Sequence, residues 1–365
     1  MNSKIIAFTG GGTGGHIYPG LAIIERLRES FDGRIVWIGS DKESDRRTVS
    51  EAGVEYFSVP SGKLRRQFSL QNLADAFRVI GGYAASRKIL AQLRPDILFS
   101  KGGYVSVPPC AAAASLRIPV FTHESDLTPG LATRLNAKKA EKILVSYEKT
   151  VSLLPEALRG RAVVAGNPVR PEIRRGSAEK GRALLGADGK DPIVLFLGGS
   201  QGARQVNELA AAVLPELARR AVVVHQTGEA WFPSAPAASA RYKPFAYIRS
   251  EMPDILAAAD LVVGRAGAGT LWESSALSKP MVLIPLSGSG TRGDQVDNAR
   301  LFEAAGAAKL LLGENAVPAA LLEAVNSFLD DRSALKAAGE KAHELAGADA
   351  AKTAADLILE RIGAR

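Results

Sequence analysis

The sequence predicts an α/β protein made of two doubly wound, Rossmann-like domains, and three observations carry that reading. The chain has 365 residues, more than one ordinary core needs and comfortable for two at about 100–200 residues per domain. Short apolar runs alternate with amphipathic stretches of helical length, the pattern of parallel strands covered on both faces. The series runs once from Ile5 and restarts after Gly166-Asn-Pro-Val-Arg170, a segment with prolines at 168 and 171 that follows a strand. The expected domains are therefore 1–166 and 167–347, followed by a separate helix over 348–365.

Taken in order, strands are expected at Ile5–Thr9, Ile35–Ile38, Tyr56–Val59, Ile97–Ser100, Val120–Thr122, Ile143–Ser146 and Ala162–Ala165. The second series comprises Ile193–Leu197, Val222–His225, Leu261–Gly264, Met281–Pro285 and Ala308–Leu312. Helices are expected between them at Gly20–Glu29, Leu70–Leu93, Ala203–Ala218, Met252–Ala259, Gly269–Leu277 and Gln295–Ala304. Near the end, Ala354, Leu357, Ile358 and Ile362 form one apolar stripe at helical spacing, so this helix needs a surface to pack on.

Composition removes several classes. The apolar share of 46% and charged share of 23% exclude a disordered or fibrous chain. The net charge of +8 points to an anionic partner: nucleic acid, a phosphorylated ligand or an acidic membrane surface. Cys110 is the single cysteine, and no Cys/His cluster has zinc-site spacing, so a reduced, cytosolic protein is expected. No run reaches the roughly 18 apolar residues of a membrane span. The first apolar stretch runs straight into glycines and reads as a strand, not a signal peptide, so any membrane contact is expected to be peripheral.

Glycine loops follow several of the strands. Gly10-Gly11-Gly12-Thr13-Gly14-Gly15-His16 lies between a strand and a helix, where free N–H groups and the helix N-terminus favour an anion. Gly10, Gly12 and Gly15 also satisfy G-x-G-x-x-G, and Asp41 follows the second strand near where a ribose-binding acid would lie; a dinucleotide site is the rival reading. Further loops are Ser100-Lys101-Gly102-Gly103-Tyr104 and Gly198-Gly199-Ser200-Gln201-Gly202. Arg265-Ala-Gly267-Ala268-Gly269-Thr270-Leu271-Trp272-Glu273 repeats the strand–turn–helix pattern. Glu273 is placed to take two ribose hydroxyls or, alternatively, to stabilise a helix start through its dipole. Asp294 and Gln295 offer sugar-type hydrogen bonds, with ordinary helix capping as the alternative for Asp294. Loops at the carboxyl ends of parallel strands in both halves point to a ligand site between the domains.

Together, Gly-Gly-Thr-Gly-Gly-His, Gly-Gly-Tyr-Val-Ser, His123-Glu124, Gly-Asn-Pro-Val-Arg, Gly-Gly-Ser-Gln-Gly-Ala and Arg-Ala-Gly…Glu, in this order, resemble the MurG family. These are the UDP-N-acetylglucosamine (UDP-GlcNAc) transferases that convert lipid I to lipid II in peptidoglycan synthesis, a step of cell-wall biogenesis. The resemblance spans Ile5 to beyond Asn298. It implies the GT-B fold, two Rossmann-like domains facing an inter-domain cleft, with the last helix returning to the first domain. It implies donor contacts at Thr13, Gly14, Gly15, Arg170, Ser200, Ala268–Glu273 and Gln295, and an acceptor-side loop at Gly102, Gly103 and Tyr104. Family members commonly have His-Glu-Gln-Asn where this chain has His123-Glu124-Ser125-Asp126; Asp126 can accept from a donor hydroxyl but not donate to it.

In that reaction the 4-hydroxyl of MurNAc attacks C1 of GlcNAc, UDP leaves, and the anomeric centre inverts through an oxocarbenium-like transition state. His16 is the first candidate for general base, because its ordinary pKa lies nearest neutrality; diphosphate contact or loop structure is the alternative. His123 and Glu124 are secondary candidates that equally fit ordering of their loop. No Asp-x-Asp occurs, so neither a metal nor another cofactor is expected at the donor site. The expected partners are UDP-GlcNAc, lipid I and the anionic cytoplasmic face of the membrane, not nucleic acid. Basic residues over 60–101, interspersed with Leu64, Phe68, Leu73, Phe77 and Ile80, would meet that surface, unless Leu73, Phe77 and Ile80 face the core. Residues 1–166 hold 23 Lys and Arg against 15 Asp and Glu, and so carry the whole positive excess. Other chemistries with the same fold remain open: a glycolipid synthase, a UDP-GlcNAc epimerase or a nucleotide-sugar-binding module. A nicotinamide oxidoreductase leaves Glu273 and the later glycine loops unexplained.

Overall fold

The computed structural model describes residues 4–62, 70–187, 189–199, 202–288, 291–347 and 349–364. The chain divides into two units, Met1–Pro168 with Ala348–Arg365, and Val169–Gly347.

Among its described residues, unit 1 contains a seven-stranded parallel sheet. Its strands are β1 (Ile5–Thr9), β2 (Arg34–Gly39), β3 (Glu55–Ser58), β4 (Ile97–Ser100), β5 (Val120–Glu124), β6 (Lys142–Val145) and β7 (Ala162–Val164). Their order is β3-β2-β1-β4-β5-β6-β7. The period of two decides which face each side chain joins. Ile6 and Phe8 enter one core with Trp37, Phe99 and Phe121, while Ala7 enters the other with Val36, Ile38 and Leu98. Phe8 anchors the first core, its ring centroid 5.9 Å from Trp37 and 5.3 Å from Phe99.

Helix Ala350–Ile362 completes that first core with Ala351, Ala354, Ala355, Ile358, Leu359 and Ile362, packed with Ile23, Ile24 and Leu27 of helix Tyr18–Leu27. Both ends are fastened. Asp349 accepts from the N–H groups of Ala351 and Lys352 and also pairs with Arg26 at 2.7 Å. At the other end Lys4 donates to the carbonyls of Ile362 and Gly363, and Arg361 grips Glu141 through two hydrogen bonds.

Unit 2 holds β8 (Ile193–Leu197), β9 (Val222–Gln226), β10 (Tyr242–Phe245), β11 (Leu261–Gly264), β12 (Met281–Leu283) and β13 (Ala308–Leu310). They form a parallel sheet in the order β10-β9-β8-β11-β12-β13. Its core joins Val194, Phe196, Val223 and Val263 to Val206, Leu209 and Val213 of helix Arg204–Leu217 and Leu321, Val325 and Phe328 of helix Pro318–Asp330.

Several expectations are corrected. Strand β10 was not anticipated, because Lys243 and Pro244 interrupt an apolar pattern; at the sheet edge, the missing N–H of a proline is tolerated. Strand β5 continues through His123 and Glu124 instead of stopping at Thr122, while β12 and β13 end at Leu283 and Leu310. On helix Leu70–Leu93, Phe77 and Ile80 are 67% and 64% exposed, so the core reading fails for both. Lys63, Leu64, Arg65, Arg66 and Phe68 lie outside the described residues, as does the side chain of Leu73. Lys101 is buried and leaves the basic surface altogether. No helix among the described residues is long and apolar enough to cross a membrane.

Asp349→Ala should lower the unfolding free energy by about 1–2 kcal/mol through loss of the helix cap. This is read as a lower urea midpoint at unchanged slope; an unchanged midpoint would show that the cap contributes nothing.

Candidate functional site

Strand order reverses between β1 and β4 in unit 1, and between β8 and β11 in unit 2. Neighbouring strands at such a point send their connections to opposite faces, which opens a crevice at the carboxyl edge of the sheet. The loops Gly10–His16 and Lys101–Ser106 emerge at the first reversal, and Gly198–Ala203 and Arg265–Thr270 at the second.

In unit 1 the two loops interlock. Gly12 has φ +86°, and a Cβ there would lie 2.7 Å from the Tyr104 ring; Gly103 has φ +76°, and its Cβ would lie 2.8 Å from Cδ2 of His16. The Gly12 N–H donates to Asp45 Oδ2 at 2.7 Å, and Ser40 donates to the same oxygen. A buried carboxylate, not a phosphate, therefore occupies that amide. Asp41, the expected ribose acid of the dinucleotide reading, is exposed on the segment leading to helix Glu43–Glu51; the acid that meets the glycine loop is Asp45, four residues later. Thr13 and Gly15 are exposed, and Gly14 opens a short 3-10 turn ending at His16. His16 Nδ1 lies 3.3 Å from the Lys101 carbonyl oxygen. A carbonyl only accepts, so Nδ1 carries the proton and Nε2 of the neutral ring holds the lone pair, the form a general base requires.

Beneath this loop lies a group that sequence reasoning missed. Lys101, only 1% exposed, directs its ammonium to His123 Nδ1 at 2.9 Å, the Ser125 hydroxyl, and Asn167 Oδ1 at 3.3 Å. Its one sequence signal is a lysine directly after a short strand, Ile-Leu-Phe-Ser, that is apolar but for its last residue. His123 Nε2 donates to the Gly166 carbonyl at 2.8 Å, so its Nδ1 must accept. Burial and the nearby Lys101 charge hold its pKa well below 6.5. With one nitrogen committed as donor and the other as acceptor, His123 is poorly placed for proton transfer. The carboxylate of Glu124 takes the N–H groups of Asp126 at 3.0 Å and Gly130 at 2.9 Å, the contacts of a loop organiser. Asp126 itself is partly exposed.

In unit 2 the structure pairs Arg170 with Glu273, and of the expected donor residues it places Gln295 on a cavity wall. A cavity of about 530 Å³ is lined by Gly198, Gly202, Gln205, Arg265, Leu286 and Gln295, among others. Gln295 Oε1 accepts from the Leu286 N–H at 3.0 Å, leaving its amide NH₂ as the group able to donate. Arg265, also missed, is fixed by Nη1 to Gln205 Oε1 at 2.9 Å and to the Ile284 carbonyl at 2.8 Å. Arg170 and Glu273 grip one another through two bonds of 2.7 and 3.1 Å. Helix Ala268–Ala276 presents its first-turn N–H groups at Ala268, Gly269 and Thr270, whereas the side chains of Leu271 and Trp272 are buried in the core. Asp294 pairs with Arg292 at 2.7 Å, and Ser200 lies outside the described residues. No cluster of three or more His, Cys, Asp or Glu among the described residues is placed to hold a metal ion.

Unit 2 has its own buried histidine. His225 is bonded to Tyr242 and Asn207, and burial pushes its pKa down to about 4. His123 and His225 both refuse protons that the unfolded chain accepts below pH 6.5. Their contribution is therefore complete above that pH and declines as pH falls, by up to about 1.4 kcal/mol per pH unit for each. Urea unfolding between pH 7 and 4 should show a shallower decline in His225→Gln than in the parent; equal slopes would contradict this.

The glycosyltransferase family 28 N-terminal domain matches residues 6–145, and the family's C-terminal domain matches residues 193–357. A UDP-N-acetylglucosamine--N-acetylmuramyl-(pentapeptide) pyrophosphoryl-undecaprenol N-acetylglucosamine transferase of Treponema denticola is 45% identical, covering 97% of each chain. A Bacillus cereus protein of the same name, numbered 2, is 40% identical over 98% of this chain and 99% of its own. Among solved structures, Acinetobacter baumannii MurG superposes with a TM-score of 0.74 at 22% identity, covering 98% of this chain and 99% of its own. Neisseria meningitidis UDP-GlcNAc 2-epimerase reaches 0.67 at 14%, covering 99% of this chain and all of its own. Both likenesses show a GT-B-like fold of two parallel α/β sheets; it is the sequence identity that separates transferase from epimerase. The chain belongs to glycosyltransferase family 28 and, within it, to the UDP-N-acetylglucosamine–N-acetylmuramyl-(pentapeptide) pyrophosphoryl-undecaprenol N-acetylglucosamine transferases.

Proposed function

We propose that this protein transfers GlcNAc from UDP-GlcNAc to the 4-hydroxyl of MurNAc in lipid I, with inversion, to give lipid II for peptidoglycan synthesis. The observation that carries the reading is the 45% identity, over 97% of both chains, with the transferase of that name. Unit 2 binds the donor. Glu273, oriented by Arg170, takes the ribose hydroxyls, and the Gln295 amide donates to GlcNAc. Ser200 and the first turn of helix Ala268–Ala276 meet the nucleotide phosphates, and the Arg265 guanidinium on the cavity wall adds positive charge as UDP leaves.

Unit 1 binds the acceptor. Its Gly102–Tyr104 loop walls His16, whose Nε2 accepts the proton of the attacking hydroxyl, while Thr13, Gly14 and Gly15 just before His16 are donor contacts. Glu124 keeps the loop bearing Asp126 in place. The same unit meets the cytoplasmic face of the membrane peripherally. Helix Leu70–Leu93 exposes Phe77 and Ile80 beside Arg78, Arg87 and Lys88, and each basic residue near an anionic leaflet contributes about 1 kcal/mol.

Labelled GlcNAc should pass from UDP-GlcNAc to a lipid I analogue; donor consumed only by hydrolysis or epimerisation would overturn the reading. His16→Ala should lower kcat by about 10²-fold or more, and a loss confined to KM would remove its role as base. In flotation assays at low salt, the protein should rise with vesicles containing anionic lipid. Failure to bind them would eliminate the membrane contact.

A further inference from the structure

We propose that Lys101 is a positioning residue whose ammonium, bound to His123, Ser125 and Asn167, locks the loop that holds His16. The proposal rests on the transferase reading for its kinetic consequence, whereas the lock itself stands on geometry in unit 1.

Three N–H groups of the ammonium meet three acceptors. His123 Nδ1 can only accept, because Nε2–H is given to the Gly166 carbonyl; the Ser125 hydroxyl and Asn167 Oδ1 provide the other two. These partners come from the end of β5 and from the segment after β7, so one side chain joins the carboxyl edge of three strands, β4, β5 and β7. The main chain of the same residue faces the opposite way in function: its carbonyl fixes His16 Nδ1, and Gly102 and Gly103 form the wall beside the His16 ring. At Gly102 a Cβ would lie 3.4 Å from the His123 carbonyl oxygen and 3.9 Å from His16 Nδ1, so the loop is layered between the two histidines. Movement at the Lys101 side chain is therefore passed to the base through a single residue.

The charged and titratable groups around Lys101 are Glu124 and Asp126, which favour its ammonium, together with His123, held neutral, and His16. Burial outweighs the two carboxylates and brings Lys101 down from 10.5 to about 8. The lock is therefore charged at neutral pH and loses its proton as pH rises through about 8. Deprotonation turns three charge-assisted hydrogen bonds into neutral ones of roughly half the strength, and Ser125 must then donate where it accepted.

The test uses the full chain with ¹³Cε-labelled lysine, the Lys101 signal being identified by its loss in Lys101→Arg. That signal should titrate near pH 8, against about 10.4 for an ordinary lysine. The kcat for GlcNAc transfer should fall on the alkaline side with the same midpoint. Asn167→Ala removes one acceptor and should move both midpoints to lower pH together, with KM for UDP-GlcNAc changed by less than about twofold. Lys101→Met should reduce kcat at pH 7 by about tenfold or more, the scale of a small misplacement of a reacting group. Lys101→Arg, which keeps its charge, should lose the alkaline limb.

Hydrogen exchange supplies a readout without substrate. Protection at Gly102, Gly103 and Tyr104 should drop above pH 8 in the parent but not in Lys101→Arg. An ordinary lysine midpoint, a kcat limb that stays in place when Asn167→Ala moves the signal, or unchanged protection would each overturn the proposal. Absence of GlcNAc transfer in the parent, with the signal and protection behaving as expected, would instead overturn the functional reading and leave the lock intact.

Discussion

The site in unit 1 depends on one steric constraint: two loops leaving adjacent strands at the sheet's reversal point occupy space that admits no Cβ. Gly12 lies under the Tyr104 ring and Gly103 against His16, both at positive φ, where L side chains are strained. Because the loops fill each other's gaps, neither can be replaced or moved alone. A histidine side chain is thereby walled by Gly103 and meets the Lys101 carbonyl, which sets its tautomer. Much of the glycine content that looks like an anion cradle is thus also explained by packing.

Unit 2 handles its polar residues differently. Arg170 and Glu273 satisfy each other, Gln295 is half-committed to Leu286, and Arg265 is held by one of its two terminal nitrogens. Of these, Arg265 and Gln295 line an open cavity, and each has donor groups beyond the bonds named. A ligand at this edge would compete with or extend existing bonds, whereas at the unit 1 edge it would meet a fixed wall. The two reversal points share a topology and use it in different ways.

The fold was legible because burial on both faces writes itself into sequence as apolar runs. Ile193–Leu197, Leu261–Gly264 and Ile97–Ser100 are strands to the residue, and all are fully buried. Strand β10 was hidden by Lys243 and Pro244, which only an edge position accommodates. Candidate site residues could be singled out where glycine or a helix start marked them. Lys101 and Asp45 were not, because a charged residue after a strand or in the first turn of a polar helix reads as solvated until partners remote in sequence, such as Asn167 for one and Gly12 for the other, are brought beside it. Phe77 and Ile80 misled for the opposite reason: helical spacing identifies an apolar face but not whether anything covers it.

Helix Ala350–Ile362 makes unit 1 discontinuous in the chain, since all of unit 2 intervenes between Pro168 and Ala348. On the ribosome, the surface formed by Ile23, Ile24 and Leu27 gains its cover only after unit 2 has been made. At about 5–20 residues per second that interval is on the order of 10–40 s. Unit 2 can complete its core as it emerges, while unit 1 waits with apolar surface open to aggregation or to a chaperone. Although its first strand is made first, unit 1 is the last part of this protein to finish folding.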